Sequence, residues 1–439
     1  MKLNLLYSFL LIFLLSGSYA QSHEHNHDHG HDHDHSHGHS PDGHDHGHNH
    51  SADHSGDHHV NNFAKECGSP AQVVHRDKYD PSATALHHIS DSNIYNLLDA
   101  VRVPLPAIIY NKERGLEFFS SGKFHAGHHD NGHFGYKDYV LYEGVIHRMK
   151  CDNLGLEETF VVDGFDIDGD NKFAIINGKG YLLEQKTIWD GGLLGGGPSS
   201  FMDFSPTKNV ISMILVCGII FFFFRKAAKA YEKRDGEAPS GIQNLLETLF
   251  QFIRDDVAIP FIGEKHQKFL PLLMSLFFFI LGLNLWGQVP FFGGTNVTGT
   301  ISVTMVVAIL VFFISNLNGK KDYWKHIFNM PGVPWYVKII LTPVEIMGMF
   351  LKPITLMLRL AANISAGHIA ILSFIGLIFI FGNSGKNVAG GITGTALAIP
   401  LTMFMMAIEL IVAFVQAYVF TLLTASYIGD AVAEHDDHH

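Results

Sequence analysis

Charge is scarce in this chain. Only 16% of its 439 residues are Asp, Glu, Lys or Arg, against roughly 25% in ordinary soluble domains. Positive charge is scarcer still, with 30 Lys and Arg against 42 Asp and Glu and a formal net charge of −12. That balance gives no footing for nucleic acid. The acidic residues gather before residue 205 and after residue 429, so the charge belongs to water-facing parts. Cysteine is limited to three residues. Cys67 and Cys151 would share an oxidising compartment if exported, where free thiols and a disulfide are both open to them, and Cys217 lies in an apolar span and reads as core. What the chain has in quantity is apolar: 47% hydrophobic residues, 35 of all residues being Phe. The composition is that of a polytopic membrane protein with a polar portion attached.

Residues 1–20 read as a secretory signal: Lys2, an apolar run from Leu3 to Leu15, then Ser18-Tyr19-Ala20 before Gln21. A first membrane anchor is the other reading, and on either one the following segment is exported. Residues 21–59 form a tract, dense in His from His23 to His59, that alternates His with Asp, Gly, Ser and Asn. It holds no core-forming residues, so it is expected to be disordered and to bind divalent metals non-specifically. Residues 60–205 form a polar extension. Tyr139 to Ile146, Thr159 to Val162 and Lys172 to Ile176, set between Gly and Asp turns, predict short strands. Asp166-Ile-Asp-Gly-Asp170 has the opening of a calcium loop, but Asn171 replaces the turn glycine and Asn177 the twelfth-position acid, which argues against an EF-hand.

The membrane part covers residues 206–430, with apolar spans near 209–224, 269–290, 299–317, 335–381 and 394–425, and 431–439 forms a tail. The run from Trp335 to Phe381 is too long for one upright crossing. Pro353 removes a backbone donor at Lys352-Pro353 and predicts a break there, between a re-entrant segment and a long tilted helix. The expected fold is therefore an all-α polytopic membrane protein: about five inserted helices plus a re-entrant or tilted hairpin, behind an exported extension that is partly disordered and partly β-rich. Lys and Arg crowd residues 225–268 and recur at Lys320, Lys321, Lys325 and Lys338, while the segment 290–298 has none. Positive-inside logic puts those basic segments in the cytoplasm, the N-terminus outside and the C-terminus inside.

Arg359 stands in the middle of the apolar Trp335–Phe381 run. A guanidinium does not give up its charge, and burying one in hydrocarbon costs roughly 2.5–3.5 kcal/mol on insertion scales. Asn363 lies one turn on, about 40° round the same face, and His368 is about 13.5 Å further along the axis. On the last helix Glu409, Gln416 and Tyr427 fall within about 20° of one face. If the two helices run antiparallel with Arg359 beside Gln416, then His368 and Glu409 reach similar depth on the outer side, where acid and imidazole make a proton relay. On a straight helix, however, His368 faces about 180° away from Arg359. Glu345, on the cytoplasmic side of Lys352, is a candidate for the inner entry and also reads as a solvated helix-end carboxylate.

Lys352-Pro-Ile-Thr-Leu-Met-Leu-Arg-Leu-Ala-Ala-Asn-Ile-Ser-Ala-Gly-His368 closely resembles the arginine helix of subunit a of the rotary ATP synthase. Glu409 to Ile428 resembles that family's last helix, and Pro239-Ser-Gly-Ile-Gln-Asn-Leu-Leu-Glu247 and Phe277-Phe-Phe-Ile-Leu-Gly-Leu-Asn-Leu-Trp-Gly-Gln-Val-Pro290 its earlier segments. The resemblance implies a proton-conducting stator subunit of a bacterial inner membrane, without catalytic chemistry or a cofactor of its own. Its implied partners are a rotor ring of c subunits, peripheral-stalk b subunits, the rest of the synthase and the bilayer. It implies that Arg359 faces the rotor carboxylate, with Asn363 and Gln416 as polar companions. His368 and Glu409 would line the outer half-channel, and Glu345 and Tyr427 the inner one. Two departures from the common pattern stand out. His and Glu are exchanged at 368 and 409, as in mitochondrial members, and Met357 stands where a small residue is usual. The ion ligands would lie mainly on the rotor, so this chain alone fits protons or sodium. The alternative prompted by the His-rich tract is a divalent-metal (zinc) secondary transporter. It needs several convergent intramembrane ligands, and the spans offer only His368 and Glu409, near a cation that would repel a dication.

Overall fold

A computed structural model of the chain describes residues 69–70, 90–97, 101–111, 114–127, 130–150, 157–168, 171–184, 201–233, 238–289, 295–328, 333–382 and 387–433. The signal segment, the His-rich tract, Cys67, Cys151 and residues 434–439 lie outside the described residues.

Seven helices carry the membrane part: α1 Lys208–Lys233, α2 Ile242–Phe252, α3 His266–Gln288, α4 Ile301–Leu317, α5 Lys321–Phe328, α6 Trp335–Phe381 and α7 Val388–Val432. Between α2 and α3 the chain passes through a π-helical turn, Ile253–Ala258, and the short turn Ile259–Ile262 before Gly263 redirects it at φ +71°. That left-handed conformation suits glycine alone without strain. Among the described residues four helical runs are long and apolar enough to cross a membrane, and five if α4 and α5, bent by 103° at their junction, count as one. α3 is apolar on every side and buried along most of its length, so it forms the centre of the bundle. α1 packs against it at Gly282, where an added Cβ would come 2.8 Å from Val216 Cγ1.

The Lys352-Pro353 break does not occur. α6 runs unbroken for 47 residues with Pro343 and Pro353 inside it. Proline removes one intrahelical bond, but in an apolar medium the neighbouring backbone groups gain nothing by leaving theirs. At 1.5 Å per residue the helix is about 70 Å long, more than twice the roughly 30 Å of a bilayer's hydrocarbon, so a helix of this length kept within it would lie steeply tilted. α7 returns antiparallel along it. Gly394 packs on Leu377 and Ile378, Glu409 meets His368, Gln416 meets Arg359, and Asp430 meets Lys352. The loop end of this hairpin is closed by glycine, since a Cβ on Gly390 would fall 2.0 Å from Phe381 O.

The extension is β-rich. Its strands are β1 Ser69–Pro70, β2 Ile94–Leu97, β3 Val101–Pro104, β4 Pro106–Asn111, β5 Gly115–Ser120, β6 Phe134–Tyr136, β7 Tyr139–Tyr142, β8 Val145–Arg148, β9 Thr159–Val161, β10 Gly164–Asp168, β11 Asn171–Ile176, β12 Lys179–Leu182 and β13 Phe201–Asp203. They form antiparallel sheets ordered β1-β12-β11-β10, β13-β4-β5, β2-β3 and β8-β7-β6-β9. The segments predicted as strands are β7–β8, β9 and β11. The period-two pattern is visible in β7, which sends Tyr139 and Leu141 into one core and Val140 and Tyr142 into another. The Asp166 segment is one arm of the β10–β11 hairpin and not a helix-flanked calcium loop. Two buried carboxylates are each held by several donors: Glu117 by Lys137 Nζ (2.7 Å), Tyr139 Oη (2.9 Å) and Arg114 (3.3 Å), and Asp138 by Arg148 Nε (2.6 Å) and Arg114. Burial pushes the Tyr139 phenol up to about 12.

This extension is clamped to one end of the bundle. Lys208 N donates to Ser92 O at 2.8 Å and Asn209 N to Asp91 Oδ1 at 3.2 Å. Tyr95 Oη accepts from Ser212 Oγ of α1 (3.3 Å) and from Trp286 Nε1 of α3 (3.4 Å).

Candidate functional site

On the extension side of the bundle, His368 Nδ1 lies 3.5 Å from Glu409 Oε1, with side chains 14% and 3% exposed. Glu409 Oε1 has no hydrogen-bond partner among the described residues. A buried carboxylate oxygen left in that condition is costly, which suits a position where a proton comes and goes. Gly367 makes the room, because a Cβ there would sit 2.9 Å from Glu409 Oε1. On the other edge of the imidazole, α3 passes at Gly287, whose added Cβ would be in ordinary contact with Nε2 at 3.6 Å but would fall 2.6 Å from Thr295 O, which is what calls for glycine.

A polar network surrounds the pair. Gln288 Nε2 donates to Glu409 O at 2.7 Å, and Asn284 Nδ2 to Ala413 O at 3.1 Å. Asn284 Oδ1 accepts from Thr298 Oγ1 at 2.7 Å, while Asn296 Nδ2 donates to Ser365 Oγ at 3.3 Å. None of these five polar residues stood out in the sequence. The signal available was Asn284 and Gln288, four apart and so on one face of an otherwise apolar helix.

Arg359 lies on an exposed face of α6 with Asn363, beside exposed Ile354 and Leu358. Gln416, itself buried, does not reach the guanidinium. Its Nε2 donates to the Arg359 backbone carbonyl at 3.1 Å. The 180° between Arg359 and His368 is thus used as it stands, with Arg359 on the exposed face of α6 and His368 meeting Glu409 of α7.

At the far end Lys352 Nζ lies 3.4 Å from Asp430 Oδ2 and 4.8 Å from the Tyr427 ring centroid. Tyr427 is half-buried and feels the charges of both Arg359 and Asp430. Glu345, half-buried, acts with Asp430 on Tyr323. Along α6, Arg359 stands about 13.5 Å from His368 and about 10.5 Å from Lys352. Lys352 and Asp430 were not among the residues singled out by sequence. Among the described residues no three His, Cys, Asp or Glu side chains gather to hold a metal.

The architecture is that of a multi-pass helical membrane protein with one exposed cation between two polar clusters. A family model described as ATP synthase A chain matches residues 210–429, and a domain of unknown function matches residues 84–186. The chain belongs to the ATP synthase A chain family. It is 42% identical to ATP synthase subunit a 2 of Chlorobaculum tepidum over 243 residues, covering 54% of this chain and 66% of that protein. It is 36% identical to ATP synthase subunit a of an Anaeromyxobacter species over 298 residues, covering 65% and 68%. Against ATP synthase subunit a of Chloroherpeton thalassium it is 40% identical, covering 54% and 69%. The chain thus spans about two thirds of the length of these relatives. The family leaves the metal-transporter alternative without support.

Proposed function

We propose that this chain is the proton-conducting stator subunit of a rotary ATP synthase in a bacterial inner membrane, with the extension exported and the C-terminus cytoplasmic. Protons enter from the extension side along Asn284, Gln288, His368 and Glu409, and pass to a carboxylate on a rotor ring that slides past the exposed face of α6. After a turn of the ring they leave past Glu345, Lys352, Tyr427 and Asp430. Each charge crossing yields about 2.3 kcal/mol per 100 mV, which the rotor converts to torque. Arg359 performs no bond chemistry. Its fixed cation forces the passing carboxylate to be ionised there and repels protons between the two paths.

The observation that supports this most is the opposition on α6, with the guanidinium on the open apolar face and the imidazole turned inward to a buried acid. The test is Arg359→Ala in the intact complex. ATP synthesis driven by a proton gradient in membrane vesicles should be abolished with the complex assembled. Synthesis near the wild-type rate would refute the reading.

A further inference from the structure

The extension covers the end of the bundle where the polar groups around His368 and Glu409 lead outward. Ser365, three residues before His368 and so beside it on α6, lies 3.3 Å from Asn296 Nδ2. Asn296 O accepts from Thr300 Oγ1 at 3.0 Å, and Thr300 Oγ1 in turn accepts from Asn209 Nδ2 of α1 at 3.2 Å. Asn209 is 0% exposed and belongs to the clamp, its amide donating to Asp91 Oδ1. The string of polar groups therefore ends under the extension and not in open water. Along it, three buried oxygens have no hydrogen-bond partner among the described residues: Asn209 Oδ1, Ser302 Oγ and Thr295 Oγ1. Ser302 lies on the first turn of α4, and Thr295 places its carbonyl beside Gly287, at the edge of the His368 ring. Each such oxygen costs about 1–3 kcal/mol when left unpaired. Several along one polar string are what bridging water satisfies in protein interiors.

Asp91 stands where this string meets the outside. Ser90 before it is exposed and Ser92 after it is buried, so the carboxyl lies in the seam between extension and bundle. Its Oδ1 accepts from the amides of Ser92 at 2.9 Å and Asn209 at 3.2 Å. Its Oδ2 is buried, and the side chains that act on the carboxyl are Thr207 and Lys208 at the start of α1. Lys208 also feels Asp130 of the extension, so its cation is shared between two acids and does not lock Asp91 in the charged form. Burial raises the Asp91 pKa against these opposing effects, which suits a group that takes up a proton and gives it away again.

We propose that the extension forms the mouth of the outer proton path, with Asp91 collecting protons from outside and passing them to water held at Asn209, Ser302 and Thr295 on the way to His368 and Glu409. Each cycle moves one proton. The Asp91 carboxylate takes it from external water, releases it to the next water inward and returns to its charged form. Asp91 so placed extends the proton path proposed above, on which its role rests, into a part of the chain outside the matched residues 210–429.

The test is ATP synthesis by the intact complex in membrane vesicles, at constant total driving force, with the extension-side compartment set at pH values from about 5 to 8. Asp91→Asn should lower the rate severalfold, and the loss should widen as that pH rises and free protons become scarce. Asp91→Glu, which keeps a carboxyl, should retain most of the wild-type rate. Limited proteolysis checks that the extension stays docked in both. Ser302→Ala removes an oxygen outside the clamp and should also slow synthesis, so it decides the matter if Asp91→Asn releases the extension. A wild-type rate and pH profile in docked Asp91→Asn would overturn the proposal. So would a full rate in Ser302→Ala, or equal losses in the Asn and Glu variants, which would assign Asp91 to docking alone. Any of these with Arg359→Ala still inactive leaves the stator reading standing, whereas an active Arg359→Ala would bring down both.

Discussion

His368 and Glu409 meet at 3.5 Å because α6 and α7 run antiparallel and Gly367 leaves the carboxylate its space. If the two share one proton path, exchanging them should matter less than removing either. His368→Ala and Glu409→Ala should each slow proton-driven ATP synthesis. The double exchange His368→Glu with Glu409→His should recover more than the product of the two losses. A double exchange no better than that product would separate the residues functionally.

Gly367→Ala divides stability from transport. The added methyl would strike the far end of the Glu409 side chain, 2.9 Å from Oε1, and a carboxylate can swing aside. Helix propensity itself favours Ala over Gly by roughly 1 kcal/mol. The variant complex should melt at the wild-type temperature or above it, yet conduct protons more slowly. Unchanged passive proton flux through the isolated membrane sector would refute this.

Gly429→Ala should have the opposite character. Its Cβ would fall 2.0 Å from the carbonyl oxygen of Phe261, a backbone atom that cannot step aside. Overpacking of this kind costs about 1–3 kcal/mol or more, so the yield of assembled complex and its melting temperature should drop. Gly218→Ala, inside α1 where an added Cβ meets nothing within 4 Å, is the matched control and should leave yield and melting temperature at or slightly above wild type.

Asp91 offers a pH test of how the extension is held. Burial raises its carboxyl pKa, against the opposing effects of Thr207, Lys208 and the amides of Asn209 and Ser92. A folded-state pKa above the unfolded value means the docked form holds the proton more tightly. That contribution is complete below about pH 3.9 and is lost as pH rises through the folded value. Docking of the extension, read by limited proteolysis across that interval, should weaken with rising pH in the wild type. Asp91→Asn, which cannot ionise, should flatten the profile, and parallel profiles would dismiss the effect.

The membrane architecture was legible because its signals are local. Long apolar runs gave the helices, and the seven-residue step from Glu409 to Gln416 gave a face that the structure buries. Asn363 follows Arg359 by one turn, and both lie on the exposed face. What failed was weighed locally but decided by neighbours. Pro353 looked like a stop, yet a helix packed along α7 in an apolar medium has nowhere else to satisfy its backbone. Gln416 lies beside Arg359, but which atom its amide takes, the backbone carbonyl, is set by how the two helices pack. Asn296 and Thr298 gave no warning, since their partners Ser365 and Asn284 are distant in sequence. The two cores of the extension depend on which strand sits between which, and the alternation within β7 says only that both its faces are covered.

The length of α6 carries a further geometric consequence. A helix about 70 Å long, when kept within about 30 Å of depth, travels farther within the plane of the bilayer than across it. His368 and Lys352, about 24 Å apart along the axis, are therefore offset mainly sideways. On the function proposed above, a rotor carboxylate gliding past at constant height would meet the two clusters one after the other, and the order in which it met them would become a direction of travel.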